Sequence, residues 1–257
     1  MSDMRPSVLI ACNESVRNAY LPTVELHRLE VFADWSWFEC EGGGIYEAQE
    51  DLEQSAALVE RLSGVDALVV CHGAPRLNAA MMDKTQGLKI VGELEGDRFA
   101  ARIDLDAAWQ HGIRVVDTTN GSSYPVAEWA LALILISLKQ AGAHFRRIIA
   151  GQTDRDAKLM AKMSGVLQGK RVGLIGCGHA GRRLVELLHP FKVEISVYDP
   201  YLPEEIATRY RIVRGALDEV LTHADILVVQ VPHTPKTEGM IGAHNLIKVS
   251  VGGQGVI

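Results

Sequence analysis

The chain has 257 residues, of which 47% are hydrophobic, 23% charged and 6% aromatic. That length and composition suit one large or two ordinary globular domains and exclude a stapled mini-protein or a mostly disordered chain. With 26 basic against 32 acidic side chains the formal net charge is −6, so no overall positive field draws in nucleic acid or anionic lipid, and a small-molecule partner is the default.

In chain order, short apolar runs alternate with helix-prone stretches. Val8–Ala11, Ala67–Cys71, Leu88–Val91 and Ile113–Val116 read as strands. Between them, Tyr46–Leu62 is rich in Ala, Leu, Glu and Gln, and Leu105–Gln110 reads as a short helix closed by His111 and Gly112. This is the rhythm of a parallel sheet with crossover helices. Thr118–Tyr124 reads as a loop, and Ser122 or Ser123 before Pro125 as a helix cap with proline in the first turn. From Val126 to Leu138 nearly every residue is apolar, Glu128 and Ser137 excepted, which predicts a helix buried on most sides, as between domains or subunits. The expected domains are 1–123 and 124–257, with a softer segment over Gly151–Gly169.

The second half predicts a strand at Arg171–Ile175, a helix with Ala180, Leu184, Leu187 and Leu188 on one face, and a stop at Pro190. A second strand, Val193–Tyr198, closes on Asp199 and Pro200, and after Leu217–His223 a further strand runs over Ile226–Val231. The longest uninterrupted apolar run, Trp129–Ile136, is far below the roughly 20 residues that span a bilayer. No basic stretch leads into an apolar run at the start. Cys12, Cys40, Cys71 and Cys177 are too dispersed for metal-ligand pairs or a disulfide framework. The expectations are a cytoplasmic location, no membrane and no bound metal.

Gly176, Gly178 and Gly181 form G-x-G-x-x-G between a predicted strand and an amphipathic helix, and Asp199 ends the next strand 18 residues on, near the expected ~20. The three glycines alone are weak evidence; this setting makes them a dinucleotide fingerprint. Gly176 allows the tight turn, Gly178 lets a diphosphate approach the backbone, and Gly181 lets helix and strand pack closely. Free N–H groups and the helix dipole hold the anion. Asp199 can accept hydrogen bonds from ribose hydroxyls and repels a 2′-phosphate, so NAD is favoured over NADP. A glycine turn that binds nothing is the ordinary alternative.

With the fingerprint at mid-chain and Val126-Ala-Glu128 heading an apolar helix before it, the sequence resembles the D-isomer-specific 2-hydroxyacid dehydrogenases. Ile103–Ala108 with Gly112–Val116, and Val231-Pro232 with Thr234–Thr237 and Met240–Gly242, agree. The resemblance covers roughly residues 60 to 247. It implies an α/β architecture with a flavodoxin-like substrate domain followed by a Rossmann NAD-binding domain, a homodimer paired through the Val126–Leu138 helix, and hydride transfer between nicotinamide and a small D-2-hydroxy acid or its 2-oxo acid. It further implies cofactor contacts at Gly176, Gly178, His179, Ala180, Gly181, Asp199, Pro200, Val231, Pro232, His233 and Thr237, and substrate contacts at His72, Gly73 and Ala74, whose loop amides hold a carboxylate.

Two departures stand out. Where the family has a Gly-x-Gly-x-Asp turn, this chain has Gly92-Glu-Leu-Glu-Gly-Asp-Arg-Phe99, which puts glycine-amide contacts in doubt and makes Arg98 a candidate cation or an ordinary solvated arginine. The family's arginine, glutamate and histidine align past Ile257, so the expectation is a C-terminally incomplete Rossmann domain in a truncated or frame-altered chain with little or no activity. His233 is a weak candidate base, His179 a variable loop position, and Cys177 a filler rather than a nucleophile. Glu128 is a junction contact or a water-facing carboxylate. A non-catalytic NAD(H)-binding regulatory protein is the second reading.

Overall fold

In the computed structural model, residues 5–44, 47–48, 50–96, 99–152, 165–234 and 236–249 are described. The chain divides into two compact units, Met1–Gly121 and Ser122–Ile257.

Unit 1 holds a five-stranded parallel sheet of β1 (Ser7–Cys12), β2 (Asp34–Glu39), β3 (Ala67–Val70), β4 (Ile90–Glu93) and β5 (Arg114–Asp117), in the order β2-β1-β3-β4-β5. That is the flavodoxin-like order. Because side chains alternate across a strand, β1 feeds two cores. Leu9 and Ala11 join Leu58 of α3 (Leu52–Arg61), Leu62 at its C-cap, and Met81 and Met82 at the end of α4 (Ala79–Met82). Val8, Ile10 and Cys12 instead meet Val16 of α1 (Glu14–Tyr20) and Leu26 and Leu29 of α2 (Thr23–Glu30). Helices cover both faces, so the inner strand β1 is apolar on both sides. Short helices α5 (Phe99–Arg102) and α6 (Leu105–Gln110) follow β4. Asn13, Asp51, Asn78 and Asp104 cap α1, α3, α4 and α6, each accepting a backbone N–H three residues on.

β2, Asp-Trp-Ser-Trp-Phe-Glu, is absent from the expected strands because it contains no long apolar run. It is an edge strand whose Trp35 and Trp37 face the α1–α2 core, while Ser36 between them is polar and Phe38 packs on the opposite core. The Tyr46–Leu62 stretch is helical only from Leu52, where Asp51 supplies the cap; Tyr46 lies outside the described residues.

Unit 2 begins with α7 (Ser123–Leu138) and α8 (Ala141–Ile149), then carries a four-stranded parallel sheet of β6 (Arg171–Ile175), β7 (Glu194–Tyr198), β8 (Val213–Arg214) and β9 (Ile226–Val229). The order β8-β7-β6-β9 is that of a Rossmann half, with the strand order reversing at β6. α9 (His179–Leu188) packs on α7; α10 (Glu204–Tyr210), α11 (Leu217–His223) and α12 (Ala243–Leu246) complete the described helices. A 3-10 turn over His189–Phe191 closes α9 at Pro190, as the sequence predicts.

Two expectations for α7 are corrected. Ser122 stands at its N-cap, but no side chain accepts a cap hydrogen bond. Nor is the helix buried on most sides within the chain: Ala127, Ile134 and Leu138 are buried, whereas Val126, Trp129, Leu133 and Ile136 are exposed, Trp129 to 65%. Glu128 is exposed. Among the described residues no single helix is long and apolar enough to cross a membrane.

Candidate functional site

The first candidate site is the β6–α9 turn of unit 2. Gly176 has φ +89°, and a Cβ there would sit 2.7 Å from the Gln230 carbonyl oxygen and 2.8 Å from Val231 Cγ1, so only glycine fits. A Cβ on Gly181 would lie 2.9 Å from the Gly176 carbonyl oxygen. Gly178 differs: a Cβ there would meet nothing within 4 Å. It is the N-cap of α9, no side chain caps the helix, and the turn is exposed at Gly178 and His179, with Ala180 half-buried. Open space thus stands against uncapped helix N–H groups, an arrangement that favours an anion.

Asp199 is bound into the same turn. One carboxylate oxygen accepts from the Cys177 N–H and the other from the Tyr201 N–H, both at 2.8 Å, leaving a lone-pair direction on each for a ligand hydroxyl. Beside it opens a groove of about 410 Å³ lined by Asp199, Pro200, Arg214, Gly215 and Glu219 among others. Arg214 is engaged by Glu204 at 3.0 Å. After β9, Val231 is half-buried, and Pro232 and His233 are exposed. The Thr237 hydroxyl donates to the Pro232 carbonyl at 2.5 Å, and its oxygen accepts from the Thr234 N–H at 2.9 Å. Thr237 therefore holds the loop's shape. Burial pushes the Cys177 thiol up to about 11, which fits a packing role and not a nucleophile.

The second candidate site lies at the carboxyl ends of β3 and β4 in unit 1. His72 is 15% and Glu95 11% exposed, with Nε2 and Oε1 3.0 Å apart. The Tyr20 hydroxyl donates to Glu95 Oε1 at 2.9 Å, and its ring meets His72 edge-on. Gly73, at φ +90°, is wedged against Asn13 and the Cys40 carbonyl, and the Asn13 N–H donates to the His72 carbonyl at 2.8 Å. The Ala74 N–H is already spent on the Cys71 carbonyl at 3.0 Å, so the loop offers fewer amides than its resemblance implies. Burial pushes the Cys71 thiol up to about 12.

Beneath this loop Glu93 and Arg102, both with side chains at 0% exposure, pair at 3.2 Å, and Arg102 also donates to the Gly44 carbonyl. Burial raises the Glu93 carboxyl by more than the Arg102 guanidinium lowers it. Arg98, the expected cation, lies outside the described residues. The buried cation of this segment is Arg102, which sequence reasoning missed along with Glu93, Glu95 and Tyr20. The available signal was three acidic residues and two arginines within the ten residues Glu93–Arg102, after the apolar run Leu88–Val91.

Residues 131–253 match the NAD binding domain of the D-isomer specific 2-hydroxyacid dehydrogenases. This part of the chain belongs to that family. The chain is 32% identical over 194 residues to a D-3-phosphoglycerate dehydrogenase of Methanocaldococcus jannaschii, covering 74% of this chain and 35% of that protein. It is 29% identical over 193 residues to the Bacillus subtilis D-3-phosphoglycerate dehydrogenase, covering 75% and 35%. The chain thus spans about a third of the length of these relatives. In fold it is similar to the NAD-complexed D-isomer specific 2-hydroxyacid dehydrogenase of Lactobacillus delbrueckii, with TM-score 0.71 and 20% identity over 95% of this chain and 68% of that one. It is likewise similar to the Aquifex aeolicus D-lactate dehydrogenase, with TM-score 0.68 and 20% identity over 94% and 66%. NAD is the cofactor of the family's domain, and the open Gly178 turn, the uncapped helix and Asp199 fit it.

Proposed function

We propose that unit 2 binds NAD(H) through the α9 N-terminus and Asp199, in the service of an oxidoreductase acting on the CH–OH group of a small D-2-hydroxy acid or reducing its 2-oxo acid. The observation that carries this reading is the empty space over Gly178, bounded by uncapped helix N–H groups on one side and the Asp199 carboxylate on the other. When bound, the nicotinamide supplies or accepts the hydride. The chain's own residues then act as follows: the first turn of α9 holds the diphosphate, Asp199 orients the adenosine ribose, and Pro200 and Gly215 border the groove beside it. Pro232 and His233, on the loop held by Thr237, are proposed to flank the nicotinamide end. On unit 1, His72 and Gly73 are proposed to orient the substrate carboxylate, with Arg98 as a further cation. Four buried, unpaired cysteine thiols accord with the reducing cytosol we propose as its location.

The test is fluorescence titration of the chain with NADH and NADPH, followed by NADH consumption with glyoxylate or hydroxypyruvate. Asp199→Ala is expected to weaken NADH binding by about 10- to 100-fold, the span of a charged hydrogen bond, and to narrow the preference over NADPH. A merely structural role would weaken both coenzymes alike. Saturable NADH binding without turnover of any 2-oxo acid would favour the regulatory reading over the enzymatic one.

We also propose that α7 pairs two chains. Val126, Trp129, Leu133 and Ile136 form one exposed apolar stripe on α7, and Phe145, Ile148 and Ile149 are exposed on α8. A stripe of this size is costly in water. Sedimentation is expected to give a dimer, and Trp129→Glu a monomer; a monodisperse wild-type monomer would refute the pairing.

A further inference from the structure

The loop ends of unit 1 bring together three different donor atoms that the dehydrogenase reading does not use as a set. Cys71 Sγ, one imidazole nitrogen of His72 and one carboxylate oxygen of Glu95 all lie within 4.8 Å of one another. His72 Nε2 is buried and forms no hydrogen bond among the described residues, although Glu95 Oε1 is 3.0 Å away. The two atoms are neighbours that do not aim at each other, as donors do when they face a common third point. In a tetrahedral zinc site, bonds of about 2.0–2.3 Å place such donors roughly 3.4–3.6 Å apart. Closure therefore needs only side-chain adjustment.

The location and scaffold agree. In the order β2-β1-β3-β4-β5 the chain reverses direction of travel between β1 and β3, and the crevice outside the carboxyl ends at such a point is where open α/β sheets take ligands. The His72 backbone is tied to Asn13, and Gly73, at φ +90°, packs so closely that a Cβ there would lie 3.0 Å from the Cys40 carbonyl oxygen and 3.2 Å from Asn13. Tyr20 bonds Glu95 and packs on His72, the outer support that ordered metal ligands need. The neighbouring Glu93 is already paired with Arg102, so it does not compete for the cation.

We propose that Cys71, His72 and Glu95 bind one divalent transition-metal ion, with zinc the best match. A thiolate, an imidazole and a carboxylate suit zinc and not the all-oxygen shells of magnesium or calcium. Three protein ligands leave a fourth position for water or an anionic oxygen. On binding, the Cys71 S–H bond breaks, the sulfur bonds the metal, and the proton leaves to solvent, with no change of oxidation state. Nothing in this proposal depends on the nucleotide site.

The experiment titrates the full chain, stripped with chelator, with Co²⁺ as a spectroscopic probe and Zn²⁺ as competitor. The expected result is one ion per chain, a thiolate-to-cobalt absorption band, and its loss on adding Zn²⁺. Cys71→Ser should remove the band. His72→Ala and Glu95→Gln should each weaken binding by about 100-fold or more, and Tyr20→Phe by about 10-fold. Cys40→Ser, checked by circular dichroism, should keep the band. Absence of the band at one equivalent, or a band that survives Cys71→Ser, overturns the site. Should Cys71→Ser not fold, unchanged affinity in both His72→Ala and Glu95→Gln overturns it as well.

Discussion

Gly178→Val is expected to weaken NADH binding by about 100-fold, equivalent to ~2.7 kcal/mol, while lowering thermal stability by only a few degrees. The new Cβ meets nothing within 4 Å, and the cost to the fold is confined to backbone strain of about 1 kcal/mol, because the φ of −69° suits valine but the ψ of −152° lies beyond its β region. The substitution therefore costs the fold modestly, but fills the space where a diphosphate would approach the helix N–H groups. Gly176→Val is the contrasting control. Its Cβ would lie 2.7 Å from a backbone carbonyl in a conformation with φ +89°, and the combined strain and overpacking should cost about 2–5 kcal/mol. Calorimetric melting and NADH fluorescence together separate the two outcomes. Equal NADH affinity in Gly178→Val and wild type would place the diphosphate elsewhere.

Arg102→Met is expected to destabilise unit 1 by about 3–5 kcal/mol at neutral pH, because it leaves the Glu93 carboxylate buried without its partner. The loss should shrink in acid. Glu93 already has its pKa raised in the folded chain, and removing the cation raises it further. A group with a raised folded pKa contributes stability below its unfolded pKa and loses it as pH rises through the folded value. The variant should therefore be closest to wild type below the ordinary carboxyl pKa of about 4.3, with the gap opening as pH rises. Adding Glu93→Leu should recover most of the loss, since a well-packed apolar pair can replace a buried ion pair. Urea denaturation at several pH values measures this. A pH-independent loss in Arg102→Met would mean that packing and the Gly44 contact, not charge, hold the pair's place.

Much of unit 2 was legible because its signals are local. Gly176 and Gly181 are fixed by backbone atoms that any strand–turn–helix of this kind brings close, and Asp199 ends the neighbouring strand within the same supersecondary unit. The strand Arg171–Ile175 matches its expected bounds because apolar spacing and the glycine turn that follows agree there. The second candidate site was far less legible. His72 was singled out, but Tyr20 and Glu95 are 75 residues apart in sequence, and nothing in their surroundings announces the other. Arg98 stands out in sequence by its position in the variant glycine turn and lies outside the described residues, whereas nothing local marks Arg102, four residues on, as a residue that the fold buries.

The sequence by itself determined the alternation of strand and helix, the dinucleotide turn and the identity of its acidic partner, because these follow from periodicity and from what a backbone can do within one βαβ unit. Tertiary structure decided which charged groups are withdrawn from water and which donors meet. Glu93 finds Arg102, Glu95 finds Tyr20 and His72, and Trp129 stays exposed only once β4, α1 and α7 have taken their places, since burial and long-range contact depend on how elements pack and not on the order in which residues occur.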